Sequence, residues 1–247
     1  MTGSERTRTG VILAAGFGSR LALGREDALL KPLTPVGGIP LIERTLNSLQ
    51  LAGCSRAVIV LGYQADNLEA EIRQTYTGPL TLEFVNNPHF DKSNGLSVIA
   101  AKRAIGDEEF VLVMADHVLG DELMETAGQT VPPPDGASLL VDYKLDVVFD
   151  MDDATKVLAR ADRVEAIGKH IQDFNCIDTG VFVCTTGLID ALEEVYNEEY
   201  DASLSDGVQL LSEQGRMDAV SIGASFWQDV DTPEMLAHAE EILRSLD

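Results

Sequence analysis

The stretch Val11-Ile12-Leu13-Ala14-Ala15-Gly16-Phe17-Gly18-Ser19-Arg20-Leu21, followed by Leu29-Leu30-Lys31-Pro32-Leu33, decides how the rest of the chain is read. Val11–Ala14 is a short apolar run that predicts a first strand, and it passes directly into a turn of small residues. Glycine lets the chain approach a ligand closely, so backbone N–H groups in such a turn can converge on phosphate oxygens. Three phosphate-binding patterns compete for this segment. A dinucleotide GxGxxG pattern needs a third glycine where Leu21 stands, and no acidic residue occupies the expected ribose position further on. A P-loop needs GxxxxGK[ST], which is absent. What remains is GxGxR with Lys31-Pro32 eleven residues after Arg20, two cations able to flank a triphosphate.

Outward from that turn, apolar runs alternate with helix-length amphipathic stretches, the pattern of an α/β sheet. Helices are expected at Leu41–Leu51, stopped by Gly53, at Asp66–Tyr76 with Asp66 as cap, and at Leu96–Ala104. Strands are expected at Ala57–Leu61, Leu80–Val85 and Phe110–Met114, whose sequence FVLVM is apolar throughout, as in a buried parallel strand. After the Val131–Gly136 turn, strands are expected at Ala137–Tyr143, Thr155–Arg160, Arg163–Ile167 and Gly180–Val183, some of them antiparallel. Helices follow at Gly187–Glu199 and Ser205–Glu213, then a strand at Ala219–Ile222 and a closing helix after Pro233. The expected fold is a Rossmann-like, doubly wound mixed sheet in one domain over residues 11–247, its second half adding a substrate-facing lid. Residues 1–10 are expected to form a flexible N-terminus.

Composition narrows the function. Of 247 residues, 45% are hydrophobic and 24% charged, an ordinary globular balance. Asp and Glu total 41 against 18 Lys and Arg, a formal charge of −23. Nucleic acid needs a basic stripe, so it is not an expected partner. An acidic exterior also repels anionic membranes, and no apolar run reaches the ~18 residues of a membrane span. The segment MTGSERTRTG lacks the apolar core of a signal peptide, and Cys54, Cys176 and Cys184 form no disulfide framework. A reduced cytoplasm is therefore the expected location.

Chemistry at a triphosphate needs charge neutralisation at phosphorus and little covalent help from protein, a need that Mg²⁺ held by one or two carboxylates meets. Asp116 follows FVLVM, where a carboxylate emerges at the carboxyl edge of the sheet, the usual ligand side of open α/β folds. Asp229 and Asp231 alternate along an extended segment, which puts both on one face. His117 is expected to point to the opposite face from Asp116, in a structural or orienting role. Were the attacking group a phosphate monoester, it would be largely a dianion near neutral pH and no general base would be required. His89, His117, His170 and His238 accordingly show no pairing with a nucleophile motif.

The string LAAGFGSRL…LLKPL resembles the signature of the nucleotidyltransferase superfamily, whose fold is of the GT-A-like type. Further strings resemble its CTP:inositol-1-phosphate cytidylyltransferase branch: Asn86-Asn-Pro-His, Ser93-Asn-Gly-Leu-Ser97, Met114-Ala-Asp-His117, Asp152-Asp-Ala-Thr-Lys-Val157, Ile167-Gly-Lys169, Asp173–Gly180 and Trp227–Pro233. The resemblance covers nearly the whole chain from Val11. It implies that residues 11–247 form a nucleotidyltransferase domain in which Leu13, Ala14, Ala15 and Gly16 hold base and ribose. Gly18 and Ser19 would line the phosphates, and Asn94 and Gly95 would lie near the pyrimidine. Arg20 would bind the leaving pyrophosphate, and Lys31 would neutralise the α-phosphate or the attacking phosphate. Asp116, Asp229 and Asp231 would hold Mg²⁺.

On the acceptor side the resemblance gives Lys144, Lys156 and Lys169 as cations for a phosphate, Lys169 foremost. Asp142, Asn175 and Asp178 would accept hydrogen bonds from ring hydroxyls. Asp152-Asp153 reads equally as a turn cap, and Asp178 as a cap of the Gly180 strand. The implied reaction is transfer of CMP from CTP to inositol 1-phosphate, giving CDP-inositol and pyrophosphate. Phosphocholine, an aminoalkylphosphonate or a hexose 1-phosphate stay open as acceptors, and a non-catalytic nucleotide sensor stays open as a different class. Few aromatic residues disfavour a cage for a trimethylammonium group.

Overall fold

In a computed structural model describing residues 8–22 and 29–246, the chain builds one nine-stranded mixed sheet with helices on both faces. Its first half runs β1 (Arg8–Ala14), α1 (Ser19–Ala22), a 3₁₀ turn at Lys31–Leu33, β2 (Pro35–Val36), β3 (Ile39–Pro40) and α2 (Leu41–Leu51). Next come β4 (Cys54–Leu61), α3 (Ala65–Thr75), β5 (Thr81–Asn86), α4 (Gly95–Ile105), β6 (Phe110–Met114), β7 (His117–Leu119) and α5 (Asp121–Gln129). The second half runs β8 (Ala137–Asp142), a 3₁₀ turn at Leu145–Val147, β9 (Lys156–Arg160), β10 (Arg163–Gly168) and β11 (Cys176–Cys184). It closes with α6 (Gly187–Glu199), α7 (Leu204–Glu213), β12 (Met217–Ser221), β13 (Trp227–Asp229) and α8 (Pro233–Leu246).

The strand order is β5-β4-β1-β6-β11-β8-β12-β10-β9, so the second half extends the sheet of the first. Strands β5, β4, β1 and β6 are parallel, and β11 joins β6 antiparallel, Phe182 opposite Leu112. FVLVM thus has one parallel and one antiparallel neighbour. Burying an aromatic side chain contributes about 1.5–3 kcal/mol, and both Phe110 and Phe182 are fully buried at this junction. A one-residue slip would drive both into the opposite core layer, where the smaller Val111, Val113, Val181 and Val183 now pack, which fixes the register. One core layer packs β1, β6 and β11 against α4, α6 and α7, and the opposite layer packs them against α2, α3 and α5.

Strand β1 begins at Arg8, so residues 8–10 belong to the sheet and not to a flexible tail. Their polarity suggested a loop, but the polar groups are satisfied inside the fold. Buried Arg8 donates to the carbonyls of Ala127 (3.1 Å), Gly128 (3.2 Å) and Thr130 (2.5 Å) and to Glu109 (3.1 Å). Helix α3 starts at Ala65 after Gln64 in the left-handed region, so Asp66 lies in its first turn and is not the cap. The expected strand Gly180–Val183 is the second half of the longer β11. Strands β7 and β13, three residues each, are too short for periodicity to show. Among the described residues no helix is long and apolar enough to cross a membrane.

Candidate active site

Strand β1 delivers the glycine-rich turn to the carboxyl edge of the sheet, next to the end of β6. Three backbone bonds lock the local frame: Tyr63 N–H to Ala15 O (3.0 Å), Ala115 N–H to Leu13 O (3.1 Å) and Val230 N–H to Asp116 O (2.9 Å). The β7–β13 pair sets Asp229 opposite His117. Acids more than a hundred residues apart in sequence therefore share one edge because backbone pairing brings their segments together.

Gly18 (φ +63°) is the turn's most constrained position. A Cβ there would lie 2.6 Å from Lys31 Cβ. Only a residue without a side chain lets Lys31 pass this close, and the left-handed φ removes any remaining choice. Lys31 is 10% exposed, and its ammonium bonds Asp116 Oδ2 (2.6 Å) and Asp231 Oδ1. Arg20, half-exposed, donates to Asp231 Oδ2 (2.7 Å) and Asp153 Oδ2 (2.9 Å). Lys169 reaches the other oxygen of Asp153 at 2.5 Å.

The electrostatics follow from burial and these partners. Burial favours the neutral form of Asp116, but Lys31 and His117 outweigh it and hold the carboxyl far below its usual range. Burial likewise disfavours the Lys31 ammonium, and Asp116 and Asp231 reverse the sign and raise its pKa. Asp229 moves the other way: burial raises it, and the charges of Asp231 and Asp116 add to the effect against His117 and Lys31. Burial raises Asp178 to about 6 despite the 2.7 Å bond it accepts from Gly180 N–H. Among the described residues no three acidic or histidine side chains already converge as a ligand cluster. The Lys31 ammonium lies between Asp116 and Asp231 instead.

Two adjoining clefts of about 370 and 320 Å³ open over this edge and share Leu13, Gly16, Arg20, Asp116 and Asp231. The smaller adds Ala14, Gly18 and Lys31, and the larger adds Ala15, Asn94, Lys169, Asp178 and Asp229. Ser19 opens α1, and its side chain lies outside the described residues. The Asn94 side-chain oxygen accepts from Leu204 N–H (2.9 Å), which ties the cleft wall to the start of α7.

Several expected site residues lie elsewhere. Gly95 is buried under the α6–α7 connection, where an added Cβ would meet Ala202 O at 2.5 Å. Asn175 imitates a strand neighbour, donating to Ala159 O (2.8 Å) and accepting from Ala159 N–H (2.9 Å). Lys156 is buried and donates to Asp152 O (3.1 Å). Asp142, also buried, takes Lys144 Nζ (2.7 Å) and Trp227 Nε1 (3.1 Å), and with Lys144 it lines a separate cavity of about 270 Å³ behind Trp227. None of these five lines either cleft.

His117 corrects a further expectation. It lies beside Asp116, Nδ1 2.7 Å from Oδ1, stacked on Trp227 with ring centroids 5.9 Å apart. Strand alternation fails here because β6 ends at Met114 and His117 opens the next strand after a turn. Gly180 (φ +75°) makes room for it: a Cβ there would lie 2.8 Å from His117 Nε2. Asp153, Thr155, Phe90 and Trp227 also line the larger cleft without having been singled out for it. Asp153 and Trp227 sit inside strings that already carried the resemblance, so position within a motif was the signal available.

The MobA-like NTP transferase domain family matches residues 10–159. The chain belongs to this family. This nucleotidyltransferase is 32% identical over 235 residues to the bifunctional IPC transferase and DIPP synthase of Aquifex aeolicus, covering 95% of the chain and 51% of that protein. The protein of the same name from Archaeoglobus fulgidus is also 32% identical, over 95% of the chain and 44% of its own length. The transferase thus spans about half the length of these curated relatives. Among solved structures, the inositol-1-phosphate CTP transferase from T. maritima superposes with a TM-score of 0.80 at 26% identity, covering 96% of this chain and 97% of that one. Asp229 and Asp231, which complete the charged edge of the cleft, lie beyond the 10–159 match.

Proposed function

We propose that the protein transfers CMP from CTP to inositol 1-phosphate, releasing pyrophosphate and forming CDP-inositol. The observation that carries this reading is the shared edge on which Arg20, Lys31, Asp116 and Asp231 meet above the glycine-rich turn. Likeness to inositol-1-phosphate transferases along nearly the whole chain supports the choice of nucleotide and acceptor.

The two clefts offer a division of labour. Leu13, Ala14, Ala15 and Gly16 form a floor of small residues that fits base and ribose, with Asn94 on the wall. Gly18, Arg20 and Lys31 face the triphosphate, and Ser19 is assigned to it by resemblance. An oxygen of the acceptor phosphate attacks the α-phosphorus, a new P–O bond forms, and the α–β anhydride bond breaks. Pyrophosphate leaves with the electron pair, its charge met by Arg20. Lys31 neutralises the α-phosphate oxygens, and low-dielectric surroundings strengthen that contact. Lys169 holds the acceptor phosphate, and Asp178 accepts from a ring hydroxyl.

Asp116, Asp229 and Asp231 supply hard oxygen donors, the set a divalent ion such as Mg²⁺ takes. Two of them already bond a cationic nitrogen, so the site demands positive charge at that point. These residues fit the ion, which when bound withdraws charge from phosphate oxygens. His117 orients Asp116 through its Nδ1 contact.

The test is pyrophosphate release from each of the four common NTPs with Mg²⁺ and a panel of phosphomonoesters. Turnover is expected with CTP and inositol 1-phosphate. Turnover with choline phosphate and not inositol 1-phosphate would sink the acceptor assignment, and preference for another NTP would sink the nucleotide assignment.

A further inference from the structure

Asp153 stands on the segment between the Leu145–Val147 turn and β9, at the rim of the larger cleft. Its two carboxylate oxygens serve different substrates' cations: Oδ2 takes Arg20 at 2.9 Å, and Oδ1 takes Lys169 at 2.5 Å. These hydrogen bonds, Lys169 foremost, hold its pKa down at about 2. Exposed ion pairs are commonly incidental, because two long side chains wander at little gain. Here the backbone that carries the carboxylate is pinned by its segment. Asp153 N–H donates to Asp150 Oδ1 (3.2 Å), and Ala154 N–H donates to Asp150 O (3.1 Å). Buried Lys156 holds Asp152 O at 3.1 Å, and Phe149 stacks on His238 of α8 with centroids 4.6 Å apart.

A carboxylate on a held backbone, bonded to two flexible cations, changes what those cations can do. Arg20 spends NH1 on Asp153 and NH2 on Asp231. A guanidinium carries five N–H donors and an ammonium three, so both retain donors for phosphate oxygens while anchored. Fixing such side chains in advance removes entropy that substrate binding would otherwise have to offset.

We propose that Asp153 is a positioning residue for both substrates, one carboxylate aiming Arg20 at the nucleotide's phosphates and Lys169 at the acceptor's phosphate. The inference rests on the nucleotide and acceptor assignments above. It adds a link between them: the rims of the two substrate sites are set by a single side chain, which the turn around Asp150 and Lys156 holds in place.

The experiment measures kcat and both KM values, with Tm as a control for folding. It compares Asp153→Ala, Arg20→Ala, Lys169→Ala and the two double variants that combine Asp153→Ala with each cation change. Asp153→Ala is expected to raise KM for CTP and for inositol 1-phosphate, each roughly threefold to tenfold, with Tm unchanged. In the Arg20→Ala background it should leave the CTP KM where Arg20→Ala set it and still raise the acceptor KM. In the Lys169→Ala background the pattern should reverse. Additive losses in both double variants overturn the proposal, because residues acting through one another must couple. An unchanged or lowered KM for either substrate in Asp153→Ala overturns it too.

Should Asp153→Ala unfold, Asp153→Asn decides the matter. It retains one accepting oxygen and should raise one KM and spare the other; sparing both overturns the proposal. If Arg20→Ala leaves the CTP KM unchanged, or Lys169→Ala leaves the acceptor KM unchanged, the underlying site assignment fails along with the proposal. That pattern differs from failure of the proposal alone, in which each cation variant retains its own effect.

Discussion

On the proposed nucleotide side of the cleft, Leu13, Ala14, Ala15, Gly16, Gly18, Ser19 and Arg20 fall within eight consecutive residues. On the proposed acceptor side, Asp153, Lys169 and Asp178, together with the proposed metal ligand Asp229, come from four separate segments of the second half. The first group is held by one turn and the close passage of Gly18 and Lys31. The second is held by antiparallel pairings of β8, β9, β10 and β11 and by the short β7–β13 pair. Charge follows the same division. Lys31 and His117, acting against burial, hold Asp116 ionised, whereas burial pushes Asp178 up to about 6. A contiguous turn suits a phosphate tail common to every NTP, and dispersed side chains suit the proposed recognition of one particular acceptor.

Four changes would break or sharpen this contrast. Asp116→Ala strikes where the two sides meet and, among the described residues, leaves Lys31 bonded to Asp231 alone. Pyrophosphate release should fall at least about a hundredfold, and wild-type-like turnover would remove Asp116 from the chemistry.

Asp178→Asn tests the acceptor side through stability. Asp178 ionises at its ordinary 3.8 in the unfolded chain and at about 6 in the fold, so between those values the fold carries the extra proton. Stability therefore falls as pH rises through that window, and the full penalty, on the order of 3 kcal/mol, persists above it. The asparagine variant should melt higher than wild type at pH 8 and no higher at pH 3. A constant difference across that range would contradict the assigned shift.

Gly18→Ala tests the nucleotide side. A left-handed alanine costs about 1–2 kcal/mol, and its methyl would displace Lys31. The kcat/KM for CTP should drop about tenfold, while equilibrium binding of the acceptor alone should hardly change. Equal loss of acceptor binding would mean the two sides are not separately built.

Asn175→Ala is the smallest effect. Losing its paired bonds to Ala159 should lower stability by about 1 kcal/mol and leave the acceptor KM unaltered. A raised KM would return Asn175 to the substrate.

The same contrast explains what the amino-acid order alone revealed. FVLVM, the α2 boundaries and the LAAGFGSRL…KP signature were legible because each depends on neighbours in sequence. Lys31, Asp116, Lys169, Asp178, Asp229 and Asp231 came to line the two clefts. Gly95, Asn175 and Lys156 did not, although they sit in equally suggestive strings. What separates the groups is tertiary: Asn175 meets Ala159 across a β pairing, and Gly95 meets Ala202 across a helix packing. Neither neighbour is visible from local pattern. The orientation of His117 was misjudged for a related reason, since alternation holds only while a strand continues and β6 had already ended.

The chain contains a single tryptophan, Trp227, and it forms part of the cleft wall, stacked on His117 and bonded to Asp142. Excitation at the red edge of indole absorption therefore interrogates this one location, free of background from the rest of the molecule. The protein comes with its own optical probe, and emission titrations can follow ligand arrival without any label.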